Sequence, residues 1–176
     1  VGAMDNSNDE WKTAICVFRY NETEDEWEEE ALLVPPDGKS EGNRASYTTD
    51  GHRIAVTSEM AIDEKLGIFR KVIDIFAFDG SNWLHEQTID DSESTNEHNY
   101  QWGQSLDILG DVLVVGEPMH NFLADTNYGA AHIYHHDVST GWTYDSILAP
   151  WGDPPWKDGL DPYLGLSVAL SDSVVA

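Results

Sequence analysis

Three histidines crowd one short stretch, His132, His135 and His136, and imidazole is both a metal ligand and an acid–base group near neutral pH. If the stretch is a strand, His132 and His136 face one way and His135 the other. At most two can converge, and the sequence places no carboxylate beside them, so surface or sheet-edge histidines are expected rather than a zinc site. A second cluster is Asp90-Asp91-Ser92-Glu93, followed by Asn96 and Glu97. Asp90, Asp91 and Glu93 are weak calcium candidates, because the run lacks the glycine that lets a loop curl round an ion. A solvated acidic loop is the expectation there. The third cluster is APWGDPPWKDGLDPY, where Trp151, Trp156 and Tyr163 stand among Asp153, Asp158 and Asp161. Aromatic anchors beside charges suit protein or carbohydrate binding, and the same rings serve equally to pack over a neighbouring element. Met119, His120 and Phe122 form a lesser set of the same kind. No G-x-S-x-G elbow, H-E-x-x-H pair or glycine-rich phosphate loop is present. Carboxylate pairs are too numerous to single one out, so no catalytic residue is assigned, and calcium is the only ion considered.

The elements that position these groups emerge from internal repetition. AICVFRYNETEDEW from Ala14, VIDIFAFDGSNW from Val72 and AAHIYHHDVSTGW from Ala130 align, with Phe18, Phe76 and Tyr134 each 58 residues apart. Trp27, Trp83 and Trp142 follow, each with an apolar residue six positions on (Leu33, Ile89, Leu148). A second shared stretch reads WGQSLDILGDVLVVGEP from Trp102 and LGLSVALSDSVVA from Leu164, with a worn copy, NRASYTTDGHRIAVTSE, from Asn43. Ser46, Ser105 and Ser167 coincide in it. Each unit holds four short strands, A to D: Ser105–Leu109, Val112–Gly116, about Ala130–His135 and Trp142–Leu148 in the fullest copy. Turn chemistry separates them at Gly110-Asp111, at Asp79-Gly80 and at Gly141. Leu113-Val114-Val115 is apolar without alternation, as in a strand covered on both faces. No stretch has a sustained helical period, although Met60 to Arg70 has room for one turn. Several short strands per repeat of about 60 residues predict an all-β chain, a β-propeller of four-stranded antiparallel blades.

Trp102-Gly103-Gln104-Ser105 with Val115-Gly116-Glu117-Pro118 resembles the FG-GAP repeat, the blade unit of integrin α-subunit propellers and other surface proteins. Leu164 to Asp172 is similar to the same signature. In the first copy Asn43-Arg44 stands for Phe-Gly, and Thr57-Ser58-Glu59 for Gly-Ala-Pro. The resemblance implies strands C and D of one blade over 1–42, complete blades over 43–101 and 102–162, and strands A and B of another over 163–176. Many integrin repeats carry a calcium loop between strands A and B. The A–B turns here (Asp50-Gly51, Gly110-Asp111, Ser171-Asp172) are too short to wrap a cation with 6–8 oxygens, so that property does not carry over.

In such a blade the A–B and C–D turns share one end and the B–C and D–A loops the other. The short turns here all fall at the first end. The long connections fall at the second: Ser58 to Arg70 and Glu117 to Asn127 (B–C), and Pro35 to Gly42, Asp90 to Gln101 and Ala149 to Tyr163 (D–A). Loops on a rigid scaffold are where binding resides. The expectation is a non-catalytic binding or scaffold module of an extracellular or cell-surface protein, with a protein or glycan partner at this loop end. Two alternatives remain open: an enzyme's propeller with an acidic central channel, involving inner-strand residues such as Gln104 and Asp107, and a structural subunit of a filament or large complex.

Composition narrows the partners. With 33 acidic against 9 basic residues the formal charge is −24, which opposes nucleic acid and anionic membranes. No apolar run approaches the ~20 residues of a membrane span. Asn21-Glu22-Thr23 is a glycosylation sequon, a weak pointer to secretion. Cys16, the one cysteine, sits on an expected core strand as a small buried hydrophobe. The opening VGAMD contains Gly-Ala-Met, a pattern that cloning leaves behind, yet it aligns with Val115 to Met119 as the close of a B strand. SDSVVA stops inside the next B strand. The sequence thus reads as a window on a longer propeller, with closure by a second copy as the alternative.

Overall fold

The computed structural model describes residues 2–5, 12–36, 45–63, 68–93, 101–120, 128–149 and 163–176. Strands β1 (Gly2–Asp5), β2 (Lys12–Asn21) and β3 (Glu26–Leu33) form the first antiparallel sheet. The second is four-stranded in chain order: β4 (Tyr47–Thr49), β5 (Arg53–Asp63), β6 (Ile68–Phe78) and β7 (Trp83–Asp90). A short 3-10 turn, Asp91–Glu93, follows. The third sheet repeats the meander with β8 (Ser105–Leu109), β9 (Val112–Glu117), β10 (Ala130–Asp137) and β11 (Gly141–Leu148). A two-stranded ribbon, β12 (Leu170–Ser171) and β13 (Val174–Val175), comes last. The chain is therefore all-β with antiparallel four-stranded sheets, and no α-helix occurs among the described residues.

Alternation along the strands sends one set of side chains to the sheet before and the other to the sheet after. Ile15 and Val17 of β2 join Val56, Phe76 and Trp83 of the second sheet in one cluster. Ile73 and Ile75 join Leu113, Val115, Tyr134 and Trp142 of the third. Val114 and Ile133 point the other way, against Val168, Leu170 and Val175. Leu113, Val114 and Val115 are all fully buried, as the unbroken apolar run predicts for a strand covered on both faces.

A second, polar device joins the same sheets. The last strand of each of the first three sheets carries a β-bulge at an acidic residue. Pairing skips Glu30 in β3, Glu86 in β7 and Asp145 in β11. A bulge re-aims its extra side chain out of the pleat. Glu30 thereby reaches the second sheet and accepts the indole N–H of Trp83 at 2.8 Å. Glu86 reaches the third and accepts the indole N–H of Trp142 at 2.9 Å. Each carboxylate also takes an arginine: Arg19 Nε lies 2.5 Å from Glu30, and Arg53 Nε 3.2 Å from Glu86. Those arginines sit over rings of the facing element, Arg19 over Phe78 and Arg53 over Trp142. The sequence signature is Trp-x-x-Glu/Asp, met at Trp27–Glu30, Trp83–Glu86 and Trp142–Asp145.

At the turn end, Asp50 accepts from Gly110 N at 2.9 Å, and Arg53 reaches Gly110 O and Asp111. The tight turns are therefore locked from sheet to sheet. Strands β4, β8 and β12 are tied by Asp107 of β8, which accepts Thr48 Oγ1 at 3.1 Å and Leu170 N at 2.6 Å. Gly103 and Gly165 explain the Gly of the Trp102-Gly103 and Leu164-Gly165 motifs. Both have positive φ (78° and 86°), and a Cβ at either would run into the preceding sheet, at Thr57 and at Glu117 N respectively.

Three expectations need correction. Ser58 to Arg70 is not a long loop and holds no helical turn outside 64–67. β5 and β6 extend through it as a paired hairpin as far as Asp63↔Ile68. Cys16 is half-buried on the face of β2 opposite Ile15 and Val17, so it is not a core residue. Asp90 and Asp91 are not a free acidic loop, because both pair with Arg70, at 3.0 and 3.3 Å.

The bonds from Arg19 and Trp83 hold the Glu30 carboxyl below its usual value of 4.5. Its contribution to stability is thus complete above pH 4.5 and falls as the pH drops below it. A Glu30→Gln chain, followed by urea unfolding at stepped pH, should lose less stability on acidification than the parent.

Candidate functional site

Cross-strand register builds the one buried cluster of potential metal ligands among the described residues. In the β9–β10 ladder Glu117 lies opposite Ala130, and His132 is two residues further along β10. Two residues along a strand is the same face, so Glu117 and His132 are diagonal neighbours. His132 Nε2 contacts Glu117 Oε2 directly. The chain then turns, with His120 N bonded to Glu117 O at 3.1 Å, and this brings His120 Nδ1 to 2.9 Å from the same Glu117 Oε2. Gly129 N donates to His120 O at 3.2 Å and pins the far side of the connection.

All three residues are buried, Glu117 and His132 at 0% exposure and His120 at 3%. Burial opposes the charge of Glu117. The bonds from His120 and His132 outweigh it and hold the carboxyl at about 2. The rings of His120 and His132 meet edge-on at 5.6 Å, and Tyr144 lies beyond at 6.1 Å. Gly165 comes so close to this strand pair that a Cβ there would lie 2.1 Å from Ala130 O and 2.7 Å from Glu117 N, and Ser105 Oγ donates to Gly165 O at 2.8 Å.

Tyr134 and Tyr144 open onto a cavity of about 480 Å³ between the second and third sheets, which Met60, Gln87, Asp90 and Ser92 also line. Asp91 is within electrostatic reach of the cluster. Its carboxyl is pushed up by burial, against Arg70, with Asp90 and Glu117 adding to the rise. Asp90 goes the other way: Ser92 and Arg70 hold it down against the effect of burial. The His–Glu cluster and the Arg70 group thus share the end where the long connections were expected.

The same repeat position in the second sheet holds a different pair. Ser58 lies opposite Val72, with Asp74 on the diagonal, and Ser58 Oγ donates to the buried Asp74 at 2.6 Å. Thr88 Oγ1 and His85 Nε2 complete that carboxylate's partners at 2.6 and 3.2 Å. Ser, His and Asp come together here, but the serine hydroxyl gives its hydrogen to the aspartate. The imidazole is not placed to take it, as nucleophile activation requires.

The structure sorts the sequence-derived residues unevenly. Trp151, Asp153, Trp156, Asp158, Asp161 and Phe122 lie outside the described residues. Met119 is exposed, and so is Tyr163, which has a positive φ of 43°. His120 is buried in the cluster rather than presented on a surface. The expectation of surface histidines fails for His132 as well. Its alternation with His135 is as predicted, but its face is covered by the second sheet. Asp90 and Asp91 are held by Arg70, and Glu93 lies in the 3-10 turn. Asn21 sits at the β2–β3 turn, where Oδ1 accepts from Thr23 N and Nδ2 donates to Glu28. Glu117 was missed because its partnership with His132 depends on register. The available signal was Glu-x-x-His closing an apolar strand, with a histidine two residues past the register partner. No helix among the described residues is long and apolar enough to cross a membrane. No protein-family model matches the chain, and no curated protein matches it.

Removing one member of a buried charged group leaves the others unpaired at a cost of about 3 kcal/mol. Glu117→Ala should therefore lower the urea-unfolding free energy by about that much. A loss under about 0.5 kcal/mol, typical of exposed sites, would show the group to be solvated.

Proposed function

We propose that this chain forms consecutive blades of a β-propeller related to the FG-GAP type. On this reading it acts as a non-catalytic binding scaffold of a secreted or cell-surface protein, with its loop end towards a protein or glycan partner. The observation that carries the reading is the Trp–carboxylate joint, made twice in the same way between successive sheets. A joint that repeats with one geometry generates a regular array, and four-stranded meanders arrayed face to face are what a propeller is made of.

Both open halves of the joint are present. Trp27 occupies the place of Trp83 and Trp142 on the free face of the first sheet, where it is 68% exposed and lies against Tyr20. Phe18 and Leu32 are exposed on the same sheet. At the other end of the stack, Asp145 occupies the bulge of β11, as Glu30 and Glu86 do in theirs. The occupant proposed for the free face is a further sheet of this same repeat, bringing a bulge carboxylate to Trp27. A scaffold role fits the rigid turn end and the commitment of Asp107 to joining inner strands, which takes that carboxylate out of an open channel.

Trp27→Phe and Trp83→Phe test the reading in the native protein. Each keeps a ring and removes the indole donor, and Trp83→Phe should cost about 1–2 kcal/mol. Equal costs are expected if a further sheet covers Trp27. A neutral Trp27→Phe beside a costly Trp83→Phe would show the free face to be open and the reading wrong.

A further inference from the structure

We propose that Glu117, His120 and His132 form a binding site for a divalent transition metal of the zinc class, with Glu117 Oε2, His120 Nδ1 and His132 Nε2 as ligands. The three ligand atoms lie within 4.8 Å of one another. Zinc bonds of about 2.0–2.1 Å in a tetrahedron put neighbouring ligand atoms about 3.3 Å apart. The Glu117–His120 separation of 2.9 Å must open by a few tenths of an ångström to reach that edge, and the shorter Glu117–His132 contact by more, which side-chain rotation has to supply. Two imidazole nitrogens and one carboxylate oxygen also suit zinc, copper or nickel better than calcium or magnesium, which take oxygen ligands.

The supporting frame is rigid where a metal site requires it. Glu117 and His132 sit on paired strands, and His120 is fixed by backbone bonds on both sides, His120 N to Glu117 O and Gly129 N to His120 O. A cation at this point would bring positive charge to a buried carboxylate. Arg70, at the same end of the sheet, pairs with Asp90 and Asp91. Three protein ligands leave a fourth position for water or a partner's side chain. The site would then serve either to staple the β9–β10 hairpin or to recruit a ligand at the loop end.

The site differs in kind from general cation attraction by the −24 chain, and the test separates the two. The full chain is stripped with chelator and titrated with zinc, and separately with cobalt, in millimolar magnesium to saturate diffuse acidic binding. The expected result is one zinc per chain, a rise in Tm on adding it, and the intense visible bands of four-coordinate cobalt. His120→Ala, on the connection rather than in the ladder, should stay folded and weaken zinc at least 100-fold, and Glu117→Gln should weaken it in the same direction. A folded parent chain that takes up no stoichiometric zinc over magnesium would overturn the proposal. So would a His120→Ala chain that binds as tightly as the parent, or cobalt spectra of the six-coordinate aqua type.

Discussion

The hydrogen bond from a tryptophan indole to a bulged carboxylate on the preceding sheet is the interaction on which the rest of the arrangement turns. Apolar clusters between the sheets supply most of the driving force, but they are non-directional and would tolerate sliding. The Trp83–Glu30 and Trp142–Glu86 bonds are directional, and hydrogen bonds to charged groups are worth roughly 1.5–3 kcal/mol each. They fix which residue of one sheet stands over which residue of the next. Once that offset is set, Arg53 can reach Glu86, Asp111 and His136 together, and Asp50 can cap Gly110. The bulge is the enabling element, because a regular β7 would not aim Glu86 at the third sheet.

The same scaffold position is used for different chemistry in successive sheets. The diagonal beside Val72 holds Ser58 and Asp74, and the diagonal beside Ala130 holds Glu117 and His132. In both cases a polar pair is buried at corresponding positions of the two ladders. The first pair is satisfied by neutral hydroxyls and a histidine around one carboxylate. The second brings two imidazoles to a single carboxylate oxygen, the group proposed above to take a metal. Variation at a fixed backbone position, under an unchanged joint, is how a repeat can acquire a site without altering its fold.

Much of the fold was legible in the sequence because the repeat exposes itself at fixed spacing. Phe18, Phe76 and Tyr134 mark one position, and the turns at Gly51, Gly80 and Gly110 bound the strands where expected, all with positive φ. What stayed hidden depends on register. The bulges at Glu30, Glu86 and Asp145 leave no mark in hydrophobic patterning, so Trp-x-x-Glu/Asp reads as an ordinary surface stretch. The β5–β6 hairpin looked like a loop because its far end mixes Met60, Asp63 and Glu64 with apolar residues. Of the site, His120 was noticed for its place in a loop and His132 for its neighbours, but their meeting on Glu117 follows only from the ladder.

A double-mutant cycle on Trp142→Phe and Glu86→Gln measures the joint itself. The two residues lie on different sheets, and the indole–carboxylate bond between them is direct. The account predicts a coupling energy of about 1 kcal/mol or more in urea unfolding, above the ~0.3–0.5 kcal/mol scatter of independent sites. Additive effects within that scatter would contradict it, and would leave the indole–carboxylate bond without directional weight.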